Sequence, residues 1–454
     1  MDIKIGQKFV KQKEFAKALD FFLNISNVKK NHPTINFYLG LIYSELNDFK
    51  KSTEYYEKSL EKDPTSFYTL YNLAIVKQNI GEIEKAKEIY LKLIKIDKFK
   101  IRPYLGLYML NSEFINDIHY KNILEIEKKL DITTYEKSLI AFILSKKDKK
   151  KKNFKKEIEY LNNFHDLCFN SNYQYNLQSE FYYKKIINIF YNKIKFINFD
   201  KRDTFLNDFS PIFIVGLPRS GSTLVESILT SANEKIKSCG ESHVINMSVV
   251  SDIANKIYDK QFVLKNYNFE VNYSNLEKNI LEKYKKLNVL NHPKKIFIDK
   301  SLENFFNLEL ILKFFPNAKF IHTSRNLSDS VIAIYQSLLF ELSWTHKIKD
   351  IIIYIDNYLK IINFFKKKYK SNILDVSLEK LTHEKDKVSK EIFDFCNLRW
   401  NKKILNYYDR KDLFIKTLSG NQVRQEIYKY EEKKYEPYYY LINKFKKDYF
   451  WINS

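Results

Sequence analysis

The chain has 454 residues, a formal net charge of +22 and an apolar fraction of 44%. That length allows two or three domains, and that apolar content excludes wholesale disorder. No apolar run approaches the roughly 20 residues of a membrane helix. The positive charge suits anionic partners such as phosphates, acidic peptides, nucleic acid or a membrane surface. Lysines are abundant along the whole chain, however, so it reads first as solvated surface, and no nucleic-acid partner is expected.

Glycine and proline number only 8 each, which predicts much helix and few tight hairpins. Cys168, Cys239 and Cys396 are far apart in the sequence and form neither a CxxC nor a metal-ligand pattern. Free thiols in a reducing, cytoplasmic compartment, with no metal, are the expectation. The stretch Met1–Phe15 has charges throughout and no apolar h-region, so it does not read as a secretory signal.

The first third of the chain repeats. Between Pro33 and Ser66 come Leu39-Gly40, Tyr43, Tyr56 and Pro64; Leu73-Ala74, Ala86 and Tyr90 stand at matching offsets in 67–100. Gly6, Ala18 and Phe22 form a weaker copy one period earlier. Small residues let antiparallel helices approach, and aromatics fill the space between neighbouring repeats. The pattern resembles the tetratricopeptide repeat. It implies an all-α solenoid with a concave face suited to a protein or peptide, or a prop for a catalytic domain. Helical periodicity continues to about residue 195 while the repeat positions blur, so residues 1–200 are taken as one helical domain. The basic run Lys146–Lys152 reads as a solvated turn or helix end.

A second domain is expected over 208–454. Ser210-Pro211 breaks the pattern, and Ile212–Val215 reads as a buried parallel strand. Gly216-Leu217-Pro218-Arg219-Ser220-Gly221-Ser222-Thr223 comes next, and a helix starts at Thr223. Strand, glycine-containing loop and helix start together surround a phosphate with backbone N–H groups. The G-x4-G-S-T spacing is that of a P-loop, with Ser222 where a nucleoside triphosphatase has the lysine that neutralises the β- and γ-phosphates. A less charged phosphate end fits better, with Arg219 as a charge-assisted donor.

The stretch Pro211–Leu229 resembles the 5′-phosphosulfate loop of the sulfotransferases. It is most similar to tyrosylprotein sulfotransferases and to bacterial proteins that join tetratricopeptide repeats to a sulfotransferase domain. The resemblance implies an α/β fold, a P-loop-like parallel sheet flanked by helices. It also implies PAPS (3′-phosphoadenosine 5′-phosphosulfate) as donor, bound by Arg219, Ser220, Gly221, Ser222 and Thr223, and a hydroxyl acceptor, a protein or peptide tyrosine first, with a carbohydrate, lipid or small-metabolite hydroxyl as the alternatives. Glu241 in Cys239-Gly240-Glu241-Ser242 matches a Gly-Glu-Glu motif that supplies the general base, with Ser242 in the place of the second Glu; His243 is the rival base. Lys300, at the end of the strand Ile296–Ser301, matches the lysine that stabilises the leaving phosphate; Leu302 stands where the family has Pro. Arg325 and Asp329 match the 3′-phosphate motif, with Leu327 in place of Pro and Ala333 in place of its Ser. Ser330, Ser328 or a backbone N–H are substitutes for that missing hydroxyl. Ser419 and Arg424 match a late loop that folds over the donor. Glu379 and the stretch Phe395–Trp400 also recur in the family and read as structural. Two other readings are a P-loop kinase, which Ser222 disfavours, and a repeat scaffold carrying a degenerate enzyme domain, which the departures at Ser242, Leu302, Leu327 and Ala333 motivate.

Overall fold

The computed structural model describes residues 3–28, 31–186, 194–197, 205–232, 235–257, 269–410, 420, 422–427 and 429–453. The chain divides into two compact units, Met1–Lys151 with Arg410–Arg424, and Lys152–Asp409 with Gln425–Ser454.

The first unit opens with α1 (Ile3–Lys11), α2 (Phe15–Val28), α3 (Pro33–Glu45), α4 (Phe49–Lys62), α5 (Phe67–Asn79), α6 (Ile83–Ile96) and α7 (Ile101–Leu110). Each helix lies against the next in sequence, as in a repeat solenoid. Small residues meet aromatic rings of the neighbouring helix, as expected at Gly40 and also at Gly106. A Cβ on Gly40 would lie 2.6 Å from the Tyr56 ring, and one on Gly106 would lie 2.4 Å from the Tyr90 ring. Both tyrosines are buried, so the missing side chain is what admits the ring. Two serines of α4 fasten it to α3: Ser52 Oγ donates to the Gly40 carbonyl at 2.8 Å, and Ser59 Oγ to the Pro33 carbonyl at 2.9 Å.

The second unit contains β1 (Ile194–Ile197), β2 (Ile212–Gly216), β3 (Phe269–Asn272), β4 (Ile298–Asp299), β5 (Lys319–Ser324) and β6 (Ile373–Ser377). Strands β4, β2, β5 and β6 form a parallel sheet in that order, and β1 pairs with β3 apart from it. The register aligns Ile212 with Ile298 on one side, and Ile212–Gly216 with Lys319–Thr323 on the other. All five residues of β2 are buried, as expected for a strand covered on both faces. Phe213 stacks on Phe320 with ring centroids 5.4 Å apart. After β2 the chain reaches β4 on one flank and then β5 on the other. That reversal leaves a crevice beyond the carboxyl end of β2, where open α/β sheets place their ligands.

The division between the units differs from the expected break near residues 200–208. The helices Phe154–Ser171 and Tyr173–Phe181 belong to the second unit. The reason is packing: His165 stacks on Tyr335 at 4.2 Å, its Nε2 meets the Tyr335 carbonyl at 2.8 Å, and its Nδ1 meets His346 Nδ1 at 3.1 Å.

Candidate active site

Strand β2 ends in Gly216, whose φ of 147° opens the loop. A Cβ there would lie 2.3 Å from the carbonyl oxygen of Thr323 on the neighbouring strand. Glycine is thus required by the close approach of β5 as well as by the dihedral. The loop turns through Arg219 at φ 68° and Gly221 at φ 91°, and Gly221 is the N-cap of the helix Ser222–Thr230. Ser220 is buried; its Oγ donates to the Leu217 carbonyl at 2.7 Å and lies 2.7 Å from Thr323 Oγ1. The Ser220 hydroxyl therefore braces the loop, and its contribution to an anion falls to its backbone N–H. Ser222 and Thr223 stand in the first turn of that helix, where N–H groups lack intrahelical acceptors and the dipole favours negative charge.

Beside this loop lies a charge cluster. The Lys300 side chain, directly after β4, is completely buried. Its Nζ donates to Glu241 Oε1 at 2.8 Å and lies 3.4 Å from Glu226 Oε2. Burial works against the ammonium, but the two carboxylates hold its pKa above the ordinary lysine value. Glu226 is on the loop helix, one turn past Ser222, and accepts the Ser238 hydroxyl at 2.5 Å. Glu241 is the exposed partner, with 45% of its side chain open to solvent. Lys300 and Glu241 stand out in the sequence; Glu226 does not. The available signal was one carboxylate inside the apolar run Thr223–Leu229.

Ser242 does not take the place of an open carboxylate. Its hydroxyl donates to Asp299 Oδ2 at 2.9 Å, which also accepts Tyr284 OH at 2.7 Å. Asp299 Oδ1 accepts the Ser301 N–H at 2.9 Å. Burial pushes the Asp299 pKa up, and these hydrogen bonds oppose it. The group fixes Lys300 from behind, since residues 299 and 301 are its chain neighbours. His243 Nδ1 is paired with the Glu303 carboxylate, which raises the imidazole pKa and favours the protonated ring. That pairing makes His243 a poor base.

On the other flank, Arg325 follows β5. Its Nε donates to Tyr430 OH at 3.1 Å, and its Nη1 to the Arg219 carbonyl at 3.4 Å. The guanidinium lies over the rings of Tyr430 and Tyr435, 5.1 and 4.8 Å from their centroids. Asp329 is 3.9 Å from Arg325 Nη2 and accepts the hydroxyls of Tyr430 and Tyr439. Glu379 accepts the Asn326 N–H at 2.8 Å and the Ser377 hydroxyl at 2.6 Å, so it holds the Arg325 turn, a structural role. Cys396 is buried, and burial raises its thiol pKa to about 12, as for a packed thiol.

Loop and charge cluster share one helix, and Arg325 is tied to the loop through the Arg219 carbonyl. Arg424 is placed in the first unit, where its Nη2 donates to the Asn79 carbonyl and its guanidinium covers Gly81. Ser419 lies outside the described residues. Among the described residues, no cluster of His, Cys, Asp and Glu could hold a metal ion. No helix among them is long and apolar enough to cross a membrane.

Residues 211–402 match the model of the sulfotransferase family, and residues 33–66 and 55–88 match tetratricopeptide-repeat models. The chain therefore carries a sulfotransferase-family domain after tetratricopeptide repeats. The match at 33–66 coincides with the repeat read from the sequence, while the one at 55–88 is framed from within α4. An uncharacterised protein of Aquifex aeolicus is 27% identical over 439 residues, covering 90% of this chain and 54% of the relative. The chain thus spans about half the length of that relative. Among solved structures, the sulfotransferase domain of the Synechococcus PCC 7002 olefin synthase is 18% identical, covering 51% of this chain and 87% of that one, at a TM-score of 0.30. Sulfotransferase STF1 of Mycobacterium tuberculosis H37Rv is 13% identical, covering 72% of this chain and 91% of that one, also at 0.30.

Proposed function

We propose that this protein transfers the sulfuryl group of PAPS to a hydroxyl acceptor, a tyrosine of a protein docked on the repeats. One observation carries the reading: a fully buried lysine, Lys300, sits beside a phosphate loop that lacks the kinase lysine, and it is hydrogen-bonded to the carboxylate of Glu241. The first turn of the loop helix, with Ser220, Gly221, Ser222 and Thr223, and the Arg219 guanidinium would hold the 5′-phosphosulfate. Arg325 would hold the 3′-phosphate. An ammonium carries three donors, and Glu241 and Glu226 engage two of them. The third serves the bridging oxygen of the donor.

In the proposed step, Glu241 takes the acceptor hydroxyl proton and the acceptor oxygen attacks sulfur. The sulfur–oxygen bond to the 5′-phosphate breaks, and adenosine 3′,5′-bisphosphate leaves with that electron pair. Lys300 and Arg219 stabilise the charge developing on the bridging and equatorial oxygens. Positioning and electrostatics supply the acceleration, as in phosphoryl transfer. Three free cysteines support a reducing, cytoplasmic setting. The tyrosine preference rests on the resemblance of the Pro211–Leu229 and Gly240–Glu241 stretches to tyrosylprotein sulfotransferases, and on the repeats.

Turnover of labelled PAPS tests the site. Lys300→Ala and Arg219→Ala should each lower it roughly a hundredfold or more. Unchanged turnover in both would remove the assignment. Turnover of Mg-ATP in place of PAPS would favour the kinase reading, and a chain that binds no adenosine 3′,5′-bisphosphate would favour the scaffold.

A further inference from the structure

The helix that follows Arg325 lacks the hydroxyl that a 3′-phosphate grip would need. Ala333 is buried and offers no donor. The two nearby serines are already used: Ser330 Oγ donates to the Asn326 carbonyl at 2.9 Å, and Ser328 Oγ faces the Ile452 carbonyl at 3.5 Å. A phosphate dianion bound by one guanidinium alone would be under-satisfied, because such groups draw several charge-assisted donors.

The C-terminal segment brings a hydroxyl to the same place. We propose that Tyr430 takes over the missing function and donates its hydroxyl to the 3′-phosphate held by Arg325. This rests on the donor-site reading above. Tyr430 OH already accepts from Arg325 Nε at 3.1 Å, so oxygen and guanidinium are in register. Its proton goes to Asp329, which has a second tyrosine donor, Tyr439 OH at 2.7 Å. Turning the Tyr430 proton to a phosphate therefore leaves Asp329 hydrogen-bonded. Burial and the hydrogen bond to Asp329 raise the Tyr430 pKa, which keeps the phenol protonated and a donor at neutral pH. The rings of Tyr430 and Tyr435 over the guanidinium fix its plane, which reduces the conformational freedom lost on binding. The segment that supplies these tyrosines lies about 100 residues after Arg325, as in the separation of 105 between the hydrogen-bonded Arg325 and Tyr430.

Calorimetry on the full chain with adenosine 3′,5′-bisphosphate and with adenosine 5′-monophosphate separates the possibilities. The wild type should prefer the bisphosphate. Tyr430→Phe keeps the ring over Arg325 and removes only the hydroxyl. It should weaken bisphosphate binding about ten- to a hundredfold and leave monophosphate binding unchanged. Ser330→Ala should leave both affinities at wild-type values. If Tyr430→Phe keeps the wild-type preference, or weakens both nucleotides equally, the assignment of Tyr430 is overturned. Loss of the preference in Ser330→Ala would overturn it in favour of that serine. A wild type that binds neither nucleotide would overturn the donor-site reading, and the Tyr430 assignment with it.

Discussion

Lys300 is the residue on which the site turns. Its ammonium is buried between two carboxylates, of which Glu241 is the more exposed to solvent. Replacing it by Met leaves Glu226 and Glu241 facing each other without a cation. Lys300→Met should lower unfolding free energy by about 2–3 kcal/mol, less than for a fully buried pair because Glu241 can turn to water. Urea denaturation checks this; an unchanged midpoint would mean that the ion pair contributes nothing net. Arg219 gives the opposite signature. At φ 68° a non-glycine residue is strained, so Arg219→Gly should hold or slightly raise stability while turnover falls. Parallel loss of both would show that the side chain is structural. At this scale the sequence marks part of the candidate site. Arg219, Gly221, Ser222, Lys300 and Arg325 stand next to strand ends and turns, where spacing carries information. Glu226 was not, because one carboxylate on a helix reads as a solvated face until its partner is known. Tyr430 was not, because 34 tyrosines in the chain leave no contrast. Ser220 was legible as a loop member but not as a brace, since Thr323 comes from another strand.

The elements that place these residues depend on close backbone approach. Gly216→Ala puts a methyl group 2.3 Å from the Thr323 carbonyl, at a φ that L-residues avoid. It should cost more than about 1 kcal/mol and pull β2 from β5; a wild-type urea midpoint would show that the loop relaxes freely. The sheet also carries a pH-sensitive contact. His322 on β5 sits between Asp375 on β6 and Tyr358. Burial lowers its pKa despite the Asp375 carboxylate. The folded state therefore binds fewer protons at His322 than the unfolded chain near pH 6. Its contribution is full above about pH 6.5 and declines as pH falls. For Asp375 burial alone would raise the pKa, but hydrogen bonds from His322 and Lys366 bring it to about 2. Its contribution is full above the ordinary 3.8 and is lost toward pH 2, so both act in the same direction. Between pH 8 and 5.5 the urea midpoint of the wild type should fall more steeply than that of His322→Asn; equal slopes would contradict the assignment. The strands around the loop were readable because parallel strands covered on both faces appear as unbroken apolar runs. Strand β6 was not, because its residues are mostly half-exposed and the run is short.

For the whole molecule, two compact units place a repeat solenoid and a sulfotransferase-family domain in one chain. Their boundary was the least legible feature. The helix Phe154–Ser171 has the same apolar periodicity as the helices before it, and contacts with distant residues such as Tyr335, His346 and Phe340 assign it to the second unit. Contacts separated by 170 residues or more leave no local trace in sequence. The small–aromatic pairs of the repeats were readable because both members recur at a fixed spacing. If the repeats present the acceptor, Gly40→Val should impair transfer to a protein acceptor more than to a small phenol, because the Tyr56 ring must move. Equal losses with both acceptors would leave the repeats without a docking role. Sulfur-labelled PAPS incubated with the chain and a cell lysate tests the proposed sulfuryl transfer to protein tyrosine most directly. The expected result is label in the protein fraction, recovered as tyrosine sulfate after alkaline hydrolysis and absent with Lys300→Ala. Label no higher than with that variant, or label in carbohydrate or lipid alone, would contradict it.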